Sequence, residues 1–252
     1  MNNKGRQDGY SEIRPDSIFN SKGRERKARK TLAILQNQID DLKDCRLLDI
    51  GCGAGRSTIW YAAAVATAVG VDIDRIAISD GQLNANRENL SYAIMSSEAV
   101  GFPDEIFDII ICNHVYEHVP DSVALMREIR RLLKPDGICY FGAGNRFSWM
   151  EPHYQLPLLS VIPKVAAHWY LRLLKRGDEY YETHLSYWGL RRLVSDFNVI
   201  DYSIKVVQDP AKYHALDMVM PNSSKQKKVL LFLKYFYWLC PTYLWLLQKT
   251  QK

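Results

Sequence analysis

The sequence predicts an α/β fold, a doubly wound and mostly parallel sheet flanked by helices, with an apolar helical insert and a C-terminal tail. Three observations carry this. Short, almost continuously apolar runs alternate with amphipathic stretches along the first 145 residues, the pattern of buried parallel strands joined by helices. The first such run, Arg46-Leu47-Leu48-Asp49-Ile50, ends in a cluster of glycines. At 252 residues with 47% hydrophobic and 24% charged side chains, the chain can bury one large core.

Taken in order, residues 1–23 are polar and aperiodic and read as a flexible N-terminal arm. Leu32, Leu35, Ile39 and Leu42, spaced by three and four, predict a helix within 24–42. Strands are expected at 46–50, 67–72, 91–95, 107–113 and 137–143, with helices near 56–66, 75–88 and 121–133. Lys134-Pro135-Asp136-Gly137 marks a turn before the last of these strands. Residues 148–185 break the alternation with prolines and aromatics and read as an insert, a candidate acceptor lid. A helix at 186–196 and a strand at 197–207 then resume the sheet, followed by a further strand near 213–220. The main domain is therefore 24–220, and 221–252 form a basic, aromatic tail.

The net charge of +5 is concentrated at the ends: nine Lys/Arg against four acids in residues 1–30, and six lysines with no acid in 221–252. Val229–Leu247 adds two tryptophans, three tyrosines and two phenylalanines, interrupted by Lys234 and Pro241. Lysines beside such a run suit an anionic membrane surface, so contact through 221–247 is expected. The basic ends lack the interleaved stacking aromatics of an RNA-binding motif, and no nucleic acid is expected. Five scattered cysteines without a C-x-x-C pair argue against disulfides and a structural zinc site. The polar first thirty residues hold no apolar leader. These features read as cytoplasmic, peripheral at most on the inner membrane face.

The chemistry is concentrated in Asp49-Ile50-Gly51-Cys52-Gly53-Ala54-Gly55. A strand ending in glycines before a helix lets a ligand approach the backbone. A dinucleotide fold requires G-x-G-x-x-G, but Arg56 stands in the last position. Asp49 would repel a pyrophosphate and suits a cationic amino group. Asp72, which closes the second strand, is placed to accept hydrogen bonds from ribose hydroxyls.

Residues 47–55, Val71-Asp72-Ile73-Asp74, 96–108 and 107–119 together resemble successive motifs of the type 11 class I methyltransferases, in order and spacing, over about 46–145. The resemblance implies a Rossmann-like fold and S-adenosyl-L-methionine as cofactor. It places Asp49, Gly51, Gly53 and Gly55 at the methionine end, Asp72 on the ribose and Ile73 on the adenine. Ser96 stands where an acid usually meets the adenine amino group, with Ser97 beside it, and Asn113 and His114 fall near the sulfonium and the acceptor.

His114-Val115-Tyr116-Glu117-His118 also spells H-x-x-E-H. That metal motif needs one continuous helix, whereas a strand runs into this segment and Pro120 ends it, so no metal is expected. Methyl transfer from a sulfonium needs in-line positioning, and an oxygen acceptor also benefits from a base. Of His114, His118, His153 and His184, any one alone is more often a histidine satisfied within the fold. His153 is the first choice because Glu151-Pro152-His153-Tyr154 sits in the insert, and His114 is the second. The insert is also similar to that of methyltransferases encoded among surface-polysaccharide enzymes. The acceptor expected is a small molecule or a lipid-linked one, foremost a glycan or lipid-linked sugar. A quinone or small aromatic, C- or O-methylated, is the alternative. A non-catalytic cofactor-binding regulator is the alternative of another class.

Overall fold

The computed structural model describes residues 10–13 and 20–250. A seven-stranded sheet runs through it in the order β3-β2-β1-β4-β5-β9-β8. The strands are β1 (Arg46–Ile50), β2 (Thr67–Asp72), β3 (Leu90–Ile94), β4 (Phe107–Asn113), β5 (Leu133–Gly144), β8 (Phe197–Asp201) and β9 (Thr242–Lys249). The first five are parallel. Their apolar runs are buried on both faces: Leu48, Ile110 and Cys139 lie in one core layer, Leu47, Ile109, Ile111 and Tyr140 in the other. This is the doubly wound architecture expected from the alternation. The order reverses beside β1 and β4, so their carboxyl ends flank the crevice where ligands of such sheets bind.

Helix α3 (Thr58–Ala62) is short and has no side-chain cap, but the next two helices begin at carboxylate caps. Asp74 caps α4 (Arg75–Leu83), its carboxylate accepting from the backbone N–H groups of Ile76 and Ala77, each at 3.0 Å. Asp121 does the same for α5 (Ser122–Leu132), which buries Leu125, Met126, Ile129 and Leu132 at helical spacing against the sheet.

Lys134-Pro135-Asp136-Gly137, expected as a turn, lies within the start of β5, and the structure corrects four larger expectations. The first concerns the arm. Tyr10–Ile13 form a helical turn, α1, in which Ser11 bonds the Asp74 carboxylate, and α2 (Ser21–Leu35) already begins at Ser21. Residues 1–9 and 14–19, the rest of the expected arm, lie outside the described residues. Secondly, β8 stops at Asp201, and α8 (Ser203–Gln208) occupies the remainder of the run expected as a strand. Thirdly, the segment 213–220 is turns, not a strand.

The fourth correction is the largest. Within the expected tail of 221–252, residues 221–250 are not an appendage. Helix α9 (Ser224–Phe236) leads into β9, which lies between β5 and β8, antiparallel to both. Trp245, Leu246 and Leu247 are fully buried there. The aromatic enrichment of this run supplies core, and that part of it cannot face a membrane. On α9, Leu231, Phe232, Tyr235 and Phe236 do remain exposed. No helix among the described residues is long and apolar enough to cross a membrane.

The insert leaves the sheet after β5 and returns to the same place. Asn145 and Leu185 form a bridge, and the Arg146 N–H donates to the Leu185 carbonyl at 2.9 Å. Within it, β6 (Met150–Glu151) pairs with β7 (Leu156–Pro157), and α6 (Lys164–Leu173) packs Ala167 and Leu171 on Tyr154, Leu159 and Tyr180. The insert thus has a small core of its own. Helix α7 (Tyr187–Leu193) follows, capped by Ser186.

Candidate active site

The turn after β1 is held by left-handed backbone at Gly51, Gly53 and Gly55, with φ of +68°, +55° and +65°, a conformation costly for other residues. The Gly51 N–H donates to the Val71 carbonyl at 2.8 Å, which ties the turn to β2. A Cβ on Gly51 would lie 2.6 Å from the Val115 side chain, and one on Gly55 2.1 Å from the Tyr92 hydroxyl.

Asp49 is buried at the end of β1 and accepts from the Thr58 hydroxyl at 2.6 Å. Burial raises its pKa to about 7, with the Thr58 bond and Arg24 opposing and Asp72 reinforcing the shift. Asp72 accepts the Gly53 N–H at 2.8 Å and the Asp74 N–H at 3.0 Å. Burial raises its pKa too, against those bonds. Asp74, by contrast, is consumed in capping α4 and holding Ser11. A buried carboxylate and a half-buried one beside a glycine turn at the sheet's carboxyl edge fit a ligand with a cationic end and neighbouring hydroxyls.

Half-buried Ile73 follows Asp72, and half-buried Ser96 and Ser97 lie just beyond β3. The Ser96 hydroxyl accepts the Glu98 N–H at 3.3 Å. Asn113 ends β4, so close to the neighbouring strand that a Cβ on Gly142 would meet its Oδ1 at 2.0 Å. The residues nominated for the cofactor therefore stand at the carboxyl ends of four adjacent strands.

Beyond them lies a cavity of about 190 Å³ whose lining includes His114, Gly144, Asn145, Pro152, His184 and Thr242. His114 has left-handed backbone (φ +58°), fixed by its N–H donating to the Gly142 carbonyl at 2.8 Å. Its Nδ1 lies 3.1 Å from Oε1 of Glu117, whose side chain is fully buried. Burial alone would raise the Glu117 pKa, but the His114 bond, with the other histidines, lowers it to about 2. The Tyr116 hydroxyl donates to the Gly144 carbonyl at 2.5 Å, joining this turn to the cavity wall.

The four histidines weighed from sequence converge. The ring of His153 is 4.9 Å from that of His118 and 6.2 Å from that of His184. His153 sits behind the cavity rather than on its lining, with Nδ1 2.6 Å from Glu151 Oε1. Burial opposes charge on this ring, yet the Glu151 carboxylate outweighs it and raises the pKa. Burial lowers His118 to about 4 and also lowers His184. His184 Nδ1 pairs with the Tyr180 hydroxyl at 2.9 Å. Sequence reasoning missed the buried carboxylates Glu117, Glu151 and Glu182. The available signal was local: a glutamate three residues after His114, two before His153 and two before His184.

Residues 48–141 match the model of a family described as a methyltransferase domain. Two curated relatives are named ubiquinone biosynthesis O-methyltransferase. That of Actinobacillus pleuropneumoniae serotype 5b is 28% identical over 60% of this chain and 64% of its own length. That of Thiobacillus denitrificans is 31% identical over 60% of this chain and 62% of its own length. The match thus spans less than two thirds of these relatives. Among solved structures, an S-adenosylmethionine-dependent methyltransferase from Mesorhizobium loti superposes with a TM-score of 0.58 at 13% identity, covering 86% of this chain and 96% of that one. The plantazolicin methyltransferase BpumL, solved in complex with a monoazolic desmethylPZN analog and SAH, gives 0.60 at 16% identity, covering 93% and 87%. At these identities the likeness establishes the fold.

Proposed function

We propose, from the premise that this chain carries a class I, S-adenosyl-L-methionine-dependent methyltransferase domain of the type 11 family, that it methylates a hydroxyl of a small aromatic acceptor of the quinone-precursor kind. The observation that carries the reading is the cavity beyond Asn113, where His114 stands on the lining with a buried glutamate behind it. The relatives favour the quinone alternative over the glycan or lipid-linked acceptor expected first, and the similarity of the insert to polysaccharide enzymes gains no support from them.

The residues fit the cofactor. Asp49 offers a buried carboxylate to the ammonium of its methionine end, and Gly51, Gly53 and Gly55 shape the turn beneath it. Asp72 offers both oxygens to the ribose hydroxyls. Ile73 would pack on the adenine, with Ser96 and Ser97 near its edge, and Asn113, at the end of β4, would stand near the sulfonium. When bound, the cofactor supplies a methyl group whose departure leaves a neutral thioether. The protein's task is to align an acceptor oxygen and remove its proton.

Of the two histidines nominated for that task, the geometry supports His114 as the base. The Glu117 carboxylate holds a proton on Nδ1 of His114, which leaves Nε2 to accept one from an acceptor hydroxyl. His153, behind the cavity, serves in positioning. The exposed apolar residues Val165, Trp169 and Leu173 of α6 recur every four residues, with Lys164, Arg172 and Lys175 nearby. They and the outer face of α9 suit an acceptor with an apolar chain met at an anionic membrane surface.

The test measures methyl transfer to a catechol, to an alkyl-substituted catechol and to a lipid-linked glycan, with S-adenosylhomocysteine affinity measured in parallel. Methylation of the catechols is expected. His114→Ala should lower kcat about 10²–10⁴-fold with cofactor affinity retained. Turnover of the glycan alone would overturn the acceptor class. A His114→Ala variant as fast as the parent would overturn the base.

A further inference from the structure

We propose that His118, His153 and Glu182 bind a divalent transition-metal ion of the zinc class behind the acceptor cavity. The three residues come from the turn after β4, from β6–β7 of the insert and from its return segment, yet their ligand atoms all lie within 4.8 Å of one another. A metal with bonds of about 2.1 Å holds tetrahedral ligand atoms roughly 3.4 Å apart, so small side-chain rotations close the site. Two imidazoles and a carboxylate form the donor set of open sites for zinc and neighbouring metals, with positions left for water or a substrate oxygen.

Further observations support a cation here. Glu151 accepts from Nδ1 of His153 at 2.6 Å and from the Tyr154 N–H at 2.7 Å. A carboxylate behind a ligating histidine fixes its tautomer and strengthens its other nitrogen as a donor to metal. It leaves Nε2 of His153 for the ion. Three carboxylates, Glu117, Glu151 and Glu182, are buried in this small region, at 1%, 0% and 4% exposure, and the ion pairs of Glu117 and Glu151 are both to histidines. A divalent cation would offset this concentration of buried negative charge. A second grouping, Glu151, His153 and His184, is equally compact. In that set Glu151 would itself be a ligand, whereas it already orients the His153 ring from behind and accepts the Tyr154 N–H.

The site differs from the one that H-x-x-E-H would suggest. His118 is shared, but its companions come from the insert, so no helix is needed. Only its use in catalysis rests on the methyltransferase reading: next to the cavity, the ion would acidify an acceptor hydroxyl.

The experiment strips the full-length protein with chelator and titrates it with Co²⁺, followed by visible d–d absorption, and with Zn²⁺ against a chromophoric chelator. One ion per chain is expected. Glu182→Gln and His118→Asn should each weaken it at least tenfold while leaving S-adenosylhomocysteine affinity unchanged, which also shows that they fold. Absence of stoichiometric binding to the parent protein would overturn the proposal, as would equal binding by both variants. Loss in Glu151→Gln with retention in Glu182→Gln would overturn this ligand set in favour of the other. A parent protein that holds Co²⁺ in this way but ignores S-adenosylhomocysteine would remove the functional reading and leave the metal site standing.

Discussion

With the cofactor's ammonium placed at Asp49, as proposed, affinity depends on pH in a way that can be worked out in advance. In the free protein burial raises its pKa from 3.8 to about 7. A ligand ammonium needs the ionised carboxylate, so the observed affinity follows the ionised fraction. That fraction is one half at pH 7 and about 0.03 at pH 5.5, so affinity should rise about sixteenfold between them, or about 1.6 kcal/mol. The α-amino group of the ligand, with a pKa of about 7.7–8.0, stays mostly protonated over this window. The neighbouring Asp72, also raised by burial, acts in the same direction. Linkage gives the companion effect without ligand. The unfolded chain releases the Asp49 proton near pH 4 and the folded one near pH 7, so apo stability falls as pH rises between them. Calorimetry of S-adenosylhomocysteine binding from pH 5.5 to 7, in buffers of different ionisation enthalpy, should show binding that strengthens as pH rises and proton release that is largest at the acidic end. Asp49→Asn should bind weakly with a much flatter profile. A profile flat in the parent, or equally steep in the variant, would refute the placement of the ammonium at Asp49.

Asp72→Ala should weaken S-adenosylhomocysteine binding by about 1.5–3 kcal/mol, whereas Asp74→Ala should leave affinity near that of the parent and lower thermal stability, because its carboxylate caps α4 and holds Ser11. Equal losses of affinity in calorimetry would undo that division. Gly55→Ala should destabilise the fold by about 2–4 kcal/mol in urea unfolding, since the new Cβ would strike the Tyr92 hydroxyl; an unchanged midpoint contradicts this. Trp245→Ala should cost about 3–5 kcal/mol, and a chain ending at Asn222 should not fold, because it lacks the strand between β5 and β8. A truncated chain with native circular dichroism and normal cofactor affinity would show β9 to be dispensable.

The legible part of the sequence was the part where local pattern and tertiary role coincide. Leu47-Leu48-Asp49-Ile50 is apolar because both faces of β1 are covered, and its glycines are there because the turn is left-handed. Asp72 ends β2 beside the glycine turn, whereas Asp74 caps α4 and holds Ser11, a division of roles that the Asp72→Ala and Asp74→Ala pair tests. Residues 229–247 misled because an aromatic run beside lysines looks alike whether it meets lipid or a sheet. Only the vacancy between β5 and β8, a non-local fact, distinguishes the two. Likewise, no spacing rule joins His118, His153 and Glu182, which are brought together by an insert whose ends meet at Asn145 and Leu185. The expectation of no metal rested on the scattered cysteines and on the broken helical context of His114 and His118, and neither bears on ligands from three separate segments.

The placement of β9 has a consequence for assembly. Synthesis delivers β8 before β9, but in the sheet β8 touches only β9, which in turn pairs with β5 about a hundred residues earlier, as at Gly142 and Leu244. On the ribosome, β1 to β5 can associate as they emerge, each next to a strand already made. The edge of β5 must then wait, open, until the later segment arrives, and β8 cannot dock before it. Such a long closure slows the final step and leaves an apolar strand edge exposed meanwhile. The nascent chain is therefore vulnerable in one defined interval, between the emergence of β5 and that of β9. A chaperone that binds extended apolar segments should capture stalled chains ending between residues 150 and 240 more strongly than shorter or complete ones.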